Sequence, residues 1–298
     1  MHPLVVGRAL EVASWPWLAD AAHTSYYPGV QMDLRERPSG VPMRHPWETV
    51  RAQFFARLVA EQLGRGTALD ALDVGAGDGF MAATLLPVLP RGSSIACYDP
   101  EYTEDHLQAL GAEAPVGLCF ERICPEREFD LIVLLDVLEH VPDDRGLLRD
   151  LVERCLRPGG LVVVSVPAHR SLFTRHDVML GHHRRYSSRE LLGVIEEVRL
   201  RPRQSGSLFG SLLVPRAVAK AFELARGIVS RPVDGPLDER VSTGASAWSH
   251  GAVFTRALCG ALELDARMSR LAARYTVPTT GLSLWALCEH AQAAGAER

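Results

Sequence analysis

Three glycines at alternate positions follow a short apolar stretch in the first third of the chain. Residues 70–80 read Asp-Ala-Leu-Asp-Val-Gly-Ala-Gly-Asp-Gly-Phe, and a helix-forming stretch follows them. Glycine accepts positive φ angles and has no Cβ, so a ligand can lie directly against the main chain of such a turn. The helix N-terminus beyond the turn offers N–H groups and a partial positive charge. The pattern therefore predicts a strand, a ligand-binding turn and a helix, in that order.

The spacing of these glycines restricts the kind of ligand. Gly75, Gly77 and Gly79 form Gly-x-Gly-x-Gly, which differs from the Gly-x-Gly-x-x-Gly pattern of dinucleotide-binding turns. Asp99 ends the next predicted strand, where a carboxylate can bind ribose hydroxyls. An ordinary strand-to-helix turn is the structural alternative. The combination favours a nucleoside-containing ligand and disfavours a nicotinamide dehydrogenase.

Apolar strands alternate with amphipathic helices through most of the chain. Such alternation indicates an α/β fold, in which a parallel sheet carries helices on both faces. Ligands then bind beyond the carboxyl ends of the strands. The predicted strands are residues 69–74, 94–98, 116–120, 130–136, 161–166, 204–208 and 282–288, and the predicted helices are residues 48–63, 80–89, 104–110, 144–156 and 188–198.

Four segments are expected along the chain. Residues 1–45, rich in Pro, Tyr and Trp, form an N-terminal arm, and residues 46–208 form the ligand-binding core. Residues 209–280 form a helical insertion before the last strand, and residues 281–298 form that strand and a tail. The insertion contains two amphipathic stretches, 212–229 and 253–275, joined by a polar loop. The arm and the insertion are expected to shape a pocket for a second substrate.

Composition excludes several classes of protein. A hydrophobic fraction of 47% and a charged fraction of 23% are typical of a globular protein. The net charge of -4 argues against a general nucleic-acid binder. The 6 cysteines form no Cys-x-x-Cys pair, so they are interpreted as buried thiols in a reducing cytoplasm, and no metal site is expected. With neither a signal peptide nor an apolar membrane span, the sequence predicts a cytoplasmic monomer or homodimer.

Three motifs, taken in order, resemble the S-adenosylmethionine site of class I methyltransferases. The first is Leu72–Phe80 with Asp99. The second is the Asp-x-x-x-His-x-x-Asp pattern of Asp136–Asp143, for which helix capping is the structural alternative. The third is the Leu-x-Pro-Gly-Gly turn at residues 156–160. The resemblance implies a Rossmann-like fold with a seven-stranded, mostly parallel sheet, and S-adenosylmethionine as the cofactor.

The resemblance also assigns residues to parts of that cofactor. The amino-acid end is expected near Asp73 and the turn, the ribose at Asp99, the adenine beside Pro100 and Glu101, and the sulfonium beside Asp136 and Leu138. Arg51 is a candidate for the cofactor carboxylate. The full set of implied cofactor residues is Asp73, Gly75, Ala76, Gly77, Asp99, Pro100, Cys119, Phe120, Asp136, Leu138 and Arg51.

A narrower likeness covers residues 163–186. It is similar to a bacterial small-molecule subgroup (methyltransferase type 11, 12 or 23) with the pattern Val-Pro-Ala…His-Asp…Leu-Gly-His-x-Arg-Arg-Tyr. The same subgroup has an N-terminal His-x-Trp followed by an arginine, which His45, Trp47 and Arg51 match. Its members act on varied acceptors, so the likeness implies the reaction and leaves the substrate open.

Histidines and arginines are concentrated in this segment, which lies at the ligand end of the sheet. One of His140, His176 and His183 is a candidate general base, since neutral imidazole accepts protons near pH 7. The candidate acceptor-binding residues are Trp47, His182, Arg184, Arg185 and Tyr186. The alternative is structural: Asp177 pairs with an arginine and fixes a lid, and Trp47 packs against the protein.

The sequence thus predicts an enzyme that methylates O or N of a polar or acidic small molecule, such as a carboxylate, in secondary metabolism. Two alternatives stay open. The amphipathic stretch 212–229 suits a lipid, polyprenyl or sugar acceptor at a membrane surface. A non-catalytic cofactor-binding fold is the other alternative.

Overall fold

The computed structural model describes residues 44–63, 66–228 and 252–290. The predicted arm therefore lies outside the described residues except for its last two positions, as do the polar loop 230–251 and the tail. The helices are α1 (Pro46–Gln62), α2 (Phe80–Leu85), α3 (Glu104–Glu113), α4 (Asp144–Cys155), α5 (Arg175–Met179), α6 (Ser188–Glu197), α7 (Leu213–Ala225) and α8 (Ala252–Arg274). The strands are β1 (Asp70–Val74), β2 (Ser94–Tyr98), β3 (Leu118–Glu121), β4 (Phe129–Leu135), β5 (Leu156–Pro167), β6 (Leu200–Leu208) and β7 (Ser283–His290).

The strands form one 7-stranded sheet in the order β3-β2-β1-β4-β5-β7-β6. Strands β1 to β5 pair in parallel, and β7 pairs antiparallel with both β5 and β6. The predicted α/β fold with a mostly parallel sheet is therefore confirmed. Separate apolar clusters pack on the two faces of the sheet, so its central strands are covered on both sides, as parallel strands require.

Several elements differ in extent from the prediction. Strand β5 begins at Leu156 instead of residue 161, because Leu156 pairs with Phe129 across a bulge in the β4–β5 ladder. Strand β6 begins at Leu200 instead of residue 204, since its first residues pair with the end of β7. Helix α5 was not predicted: at 5 residues it is too short to show a helical period, and a Thr174–Asp177 capping box begins it.

Helices α7 and α8 follow β6 and precede β7. Helix α8 packs on α1, where Arg270 and Arg274 pair with Glu61 and Leu262 is buried. Helix α7 turns its polar residues towards the protein, and Lys220 Nζ donates to the carbonyl of Phe173. In the part of the chain that the structure describes, no helix combines the length and apolar character needed to cross a bilayer.

Candidate active site

The glycine turn lies between β1 and α2, at the carboxyl edge of the sheet. Gly75, Gly77 and Gly79 have φ angles of 67°, 53° and 75°, all in the left-handed region. The N–H groups of Gly75 and Ala76 donate to the carbonyl of Tyr98 over 2.8 and 3.2 Å. The turn is thus tied to the end of β2, and its main chain faces the edge where ligands bind in such sheets.

The turn has no room for side chains at two of its glycines. A Cβ at Gly75 would lie 2.9 Å from Cγ2 of Val137, and one at Gly79 would lie 2.7 Å from the Phe120 ring. The hydroxyl of Tyr102 donates to the carbonyl of Gly77 over 2.6 Å. Neighbouring side chains therefore hold the turn closely, and glycine is required for steric as well as conformational reasons.

Asp99 lies directly after β2, beside the turn. Its Oδ2 accepts from the N–H of Gly77 at 3.2 Å and its Oδ1 from the N–H of Glu101 at 2.9 Å. Burial raises the pKa of the carboxyl group, and these backbone donors oppose the rise. Each oxygen keeps acceptor capacity for a ligand hydroxyl. Phe120 stands nearby in an edge-to-face contact with Tyr102, whereas the Cys119 thiol donates towards the carbonyl of Ile95.

Two arginines, one in helix α1 and one just before it, lie near the turn. Arg44 pairs with Asp78 and lies 4.0 Å above the Phe80 ring. Arg51 pairs with Asp136 and lies 4.7 Å above the Trp47 ring. Together with the turn these side chains border a cleft that opens to solvent. The lining residues are Arg44, Glu48, Arg51, Ala52, Asp73, Gly75, Ala76, Asp78, Phe80, Met81 and Leu135.

Asp136 ends β4 with a backbone conformation that is unusual for a residue with a side chain. Its φ is 58°, its N–H donates to the carbonyl of Ser165 at 2.9 Å, and its Oδ1 accepts from the Ser165 hydroxyl at 3.1 Å. Left-handed non-glycine residues are costly and cluster at binding sites. Here the conformation directs the carboxylate towards Arg51.

Residues 169–186, which follow β5, form what we call the lid. It is organised by Asp177, whose side chain is fully buried. Its carboxylate accepts from Arg185 Nε at 2.7 Å, from Arg216 Nη2 at 2.5 Å and from the N–H of Thr174 at 2.7 Å. Burial raises the pKa of Asp177, but the bond to His182 and the two arginines outweigh it and leave that pKa below its usual value. The salt-bridged lid, one of the two sequence interpretations, is present.

Two histidines of the lid, His176 and His182, and two residues that follow β4, Glu139 and His140, have buried or half-buried ionisable side chains. The rings of His140 and His182 meet edge to face, with centroids 4.7 Å apart. Burial and the neighbouring His182 hold the pKa of His140 well below its ordinary value. Burial and Arg216 lower the pKa of His176 to about 4. Burial and Asp136 raise the pKa of Glu139 well above its ordinary value.

The family of the chain follows from comparison with known proteins. A family model described as a methyltransferase domain matches residues 45–203. The chain belongs to this methyltransferase domain family. Its match therefore includes the glycine turn, Asp99, Asp136 and the lid. S-adenosylmethionine is the methyl donor that the family implies, and the residues around the turn are those that would hold it.

Curated relatives of this methyltransferase carry related names. A probable S-adenosylmethionine-dependent methyltransferase of Mycolicibacterium smegmatis is 26% identical over 214 residues, which are 70% of this chain and 80% of that protein. The ubiquinone biosynthesis O-methyltransferase of Paramagnetospirillum magneticum is 30% identical over 127 residues, 39% of this chain and 51% of that protein. The match to the ubiquinone enzyme thus spans about half of its length. A solved S-adenosylmethionine dependent methyltransferase from Mesorhizobium loti has a TM-score of 0.46 and 16% identity, with 82% of this chain and 96% of that chain covered.

The methyltransferase brings together many of its sequence-predicted site residues. Asp73, Gly75, Ala76 and Arg51 line the cleft, and Asp136 reaches it through Arg51. Gly77 and Asp99 are not among the lining residues; they are hydrogen-bonded to each other beside the cleft, in and next to the glycine turn, with Phe120 close to Gly79. Pro100 is exposed just beyond Asp99, and Trp47 stacks under Arg51. His183 lies at the lid edge, where its N–H donates to the carbonyl of Glu139 at 2.7 Å.

Burial corrects the interpretation of four other residues. Leu138 is fully buried in the core, so its side chain does not face the cleft. Arg185 and His182 turn inward to Asp177, and the Tyr186 hydroxyl donates to Asp144 at 2.7 Å. We carry these four no further as contacts of the cofactor or the acceptor. Arg184 is less buried, but it binds the carbonyl of Pro142 and Asp144.

Arg44, Asp78 and Glu139 belong to this edge although no sequence motif indicated them. Asp78 lies inside the glycine turn, and its proximity to the glycines was the available signal. Arg44 lies next to the matched His45 but contacts the turn only through the fold. Glu139 lies inside the Asp136–Asp143 motif, where its exposure could not be read from the sequence.

Proposed function

We propose that this methyltransferase transfers a methyl group to an oxygen of a polar or acidic small molecule. The observation that carries the proposal is the cleft itself. It joins a glycine turn to a paired Arg51 and Asp136 at the carboxyl edge of the sheet. A zwitterionic ligand with a ribose suits that arrangement, since it offers hydroxyls to one end and opposite charges to the other.

The residues of the cleft fit S-adenosylmethionine. Asp99 has acceptor capacity for two ribose hydroxyls, and the crowded glycine turn leaves its main chain open to the amino-acid end. Arg51 is placed to bind the carboxylate of that end, and Asp73 its ammonium group. Bound there, the cofactor supplies an electrophilic methyl group on a sulfonium.

The protein's contribution to methyl transfer is mainly positional. The acceptor oxygen forms a bond to the methyl carbon while the carbon–sulfur bond breaks, and that electron pair stays on sulfur. Holding oxygen, methyl and sulfur in line removes most of the entropic barrier. A carboxylate acceptor arrives without a proton to remove. For a hydroxyl acceptor, His183 is our candidate to take the proton, because it lies at the lid edge next to the backbone of Glu139.

Methylation at oxygen rests on the named relatives. The ubiquinone biosynthesis O-methyltransferase of Paramagnetospirillum magneticum is similar to this chain over 127 residues. That match covers 39% of this chain, so in our proposal the acceptor differs from that of the relative. A role in secondary metabolism is part of the same hypothesis.

Calorimetry with S-adenosylhomocysteine tests the cofactor site. We expect the wild-type protein to bind it, and Asp99→Asn and Arg51→Gln to bind at least about tenfold more weakly, because each loses a charge-assisted bond. Arg226→Gln, an exposed change on the last turn of α7, is the matched control. Equal binding by all four proteins contradicts the assigned site.

The acceptor is tested with methyl-labelled cofactor and a panel of carboxylic acids, phenols and amines. Label on oxygen, stable or labile to base as an ether or an ester respectively, supports the proposal. Label found only on nitrogen contradicts it. His183→Gln should reduce turnover on hydroxyl acceptors and spare carboxylates.

A lipid acceptor is the second candidate, and the orientation of α7 favours it. Its polar residues Arg216 and Lys220 bind the lid, which leaves Val214, Val218 and Phe222 exposed by 70%, 63% and 57%. Such a face suits a membrane surface. Flotation with anionic liposomes tests it: binding that Val218→Glu abolishes supports this candidate, and an absence of binding removes it.

A further inference from the structure

Glu139, His140 and His182 meet beneath the lid, and one ligand atom from each lies within 4.8 Å of the other two. Glu139 follows β4, and His182 comes from the lid, so the fold brings them together from distant parts of the sequence. His182 Nε2 lies 4.0 Å from Glu139 Oε1. Carboxylate oxygen and imidazole nitrogen are the ligands that zinc-type ions bind in catalytic sites.

The Glu139 carboxylate is unusual for a buried group. Its side chain is fully buried, and neither oxygen has a hydrogen-bond partner in another residue among residues 44–63, 66–228 and 252–290. A buried carboxylate without partners costs several kcal/mol, so proteins rarely retain one. The group therefore indicates a cation or proton that balances it.

Each of the two histidines has one ring nitrogen that carries no hydrogen. The carboxylate of Asp177 lies 3.1 Å from His182 Nδ1 and is held ionised by two arginines, so Nδ1 carries the hydrogen and Nε2 keeps its lone pair. His140 Nδ1 is buried with no partner among the described residues, and a backbone hydrogen bond from the ring to Leu180 leaves its hydrogen on Nε2. Two lone pairs and a carboxylate thus share one space.

We propose that Glu139, His140 and His182 bind a divalent transition-metal ion of the zinc type, with Asp177 orienting His182 from behind. A carboxylate behind a ligating histidine is the usual outer partner in such sites. Bonds of about 2.0–2.2 Å to zinc place tetrahedral ligand atoms roughly 3.4 Å apart. From separations of up to 4.8 Å, the ligand atoms need to approach each other by up to about 1.4 Å to close around the ion.

Three protein ligands leave one position open, as in catalytic zinc sites. Glu139 follows Asp136 closely in the chain, so the cluster lies near the pair that Asp136 forms with Arg51 at the end of β4. An acceptor oxygen bound at the open position would lose its proton more readily. That role rests on the proposed function, whereas metal binding itself does not.

Cobalt titration of the full chain, after treatment with a chelator, tests the site. We expect about one Co²⁺ per chain, with visible absorption bands typical of nitrogen and oxygen ligands, and zinc that displaces it. Glu139→Gln and His182→Gln should weaken binding at least about tenfold. His106→Gln is the matched control, because His106 lies in the capping box of α3, where glutamine also serves.

Thermal unfolding with and without Zn²⁺ keeps the test informative if a variant is unstable. Zinc should raise the Tm of the wild-type protein and of His106→Gln, and should leave Glu139→Gln unchanged. The proposal is overturned if the wild-type protein binds no stoichiometric metal. It is equally overturned if Glu139→Gln, which mimics a protonated acid, matches the wild type in metal binding. S-adenosylhomocysteine binding by the same samples separates this result from failure of the proposed function.

Discussion

Gly79 combines a left-handed backbone with a side-chain position that another residue already fills. Its φ is 75°, and a Cβ there would lie 2.7 Å from the Phe120 ring. We expect Gly79→Ala to lower the free energy of unfolding by about 1–3 kcal/mol. It should also weaken S-adenosylhomocysteine binding, because Phe120 must move away from the turn. Urea unfolding and calorimetry measure the two effects.

Gly111→Ala is the control for that change. Gly111 lies inside α3, and a Cβ there would meet nothing within 4 Å. Alanine is favoured over glycine inside a helix, so this variant should gain roughly 0.5–1 kcal/mol. Equal losses in both variants would show that the turn has no special requirement for glycine.

Asp177 is the residue whose loss should most affect the lid. Asp177→Asn keeps the shape of the side chain but leaves Arg185 and Arg216 without their counter-charge. Arg185 is 5% exposed, so the uncompensated charge stays buried. We expect destabilisation of about 3–5 kcal/mol in urea unfolding. Asp105→Asn, an exposed change in α3, should stay within about 0.5 kcal/mol; a similar value for Asp177→Asn would contradict this account.

At the scale of elements, the sequence predicted what depends on local pattern. Strands β4 and β5 were evident because buried parallel strands are continuously apolar, and the turn before α2 was evident from its glycines. Helix α5 was not evident, because a helix of little more than one turn is too short to show a periodic pattern of apolar residues. The antiparallel direction of β7 was also hidden, because direction depends on which strands it joins and not on its composition.

The same distinction applies to the candidate site, where some residues were predicted from the sequence and others were brought in by the fold. Asp99 was predicted because it ends a strand at the carboxyl edge, and Asp136 because the resemblance to the family implied it. The meeting of Glu139 with His182 was not predictable, since their contact depends on how the lid folds back over β4. Arg185 and Tyr186 illustrate the opposite error: a polar sequence suggested ligand contacts, whereas the fold uses their polar atoms to fasten the lid.

The lid element α5 should make stability depend on pH through His176. Its surroundings include Arg216, Asp177, His182 and Arg185, and its pKa is about 4 in the folded state against an ordinary 6.5. Between these values the unfolded chain binds a proton that the folded chain does not, so acidification favours unfolding. The slope approaches about 1.4 kcal/mol per pH unit for one such group.

Urea unfolding between pH 7 and pH 5 measures this slope. Because the pKa values of Glu139 and His140 are also shifted by folding, the contribution of His176 is the difference between the slopes of the wild type and His176→Gln. The wild-type protein should lose stability steadily as the pH falls through this range. His176→Gln should lose less over the same range, because glutamine takes up no proton. An identical slope in both proteins would exclude His176 as a source of the pH dependence.

At the scale of the whole molecule, the reactivity of the cysteine thiols measures how well the interior is shielded from solvent. Cys97, Cys124, Cys155 and Cys288 are buried, Cys119 is exposed and Cys259 is partly exposed. Burial raises the pKa of Cys288 to about 12. With an aromatic disulfide reagent, we expect two thiols to react in the native protein and all 6 after denaturation. Cys119→Ser should remove one fast thiol, and more than two fast thiols in the wild type would contradict the packing described.

The position of β7 has a consequence for how the protein is made. Strand β6 is at the edge of the sheet and pairs with β7 alone, and β7 lies between it and β5. On the ribosome, β5 and β6 emerge well before β7, so neither can complete its hydrogen bonding during most of translation. The unpaired edges of β5 and β6 are therefore exposed on the nascent chain until β7 has been synthesised. Chaperones would be needed most during this period. Trp285, which is fully buried in β7, would report by its fluorescence when that strand is inserted.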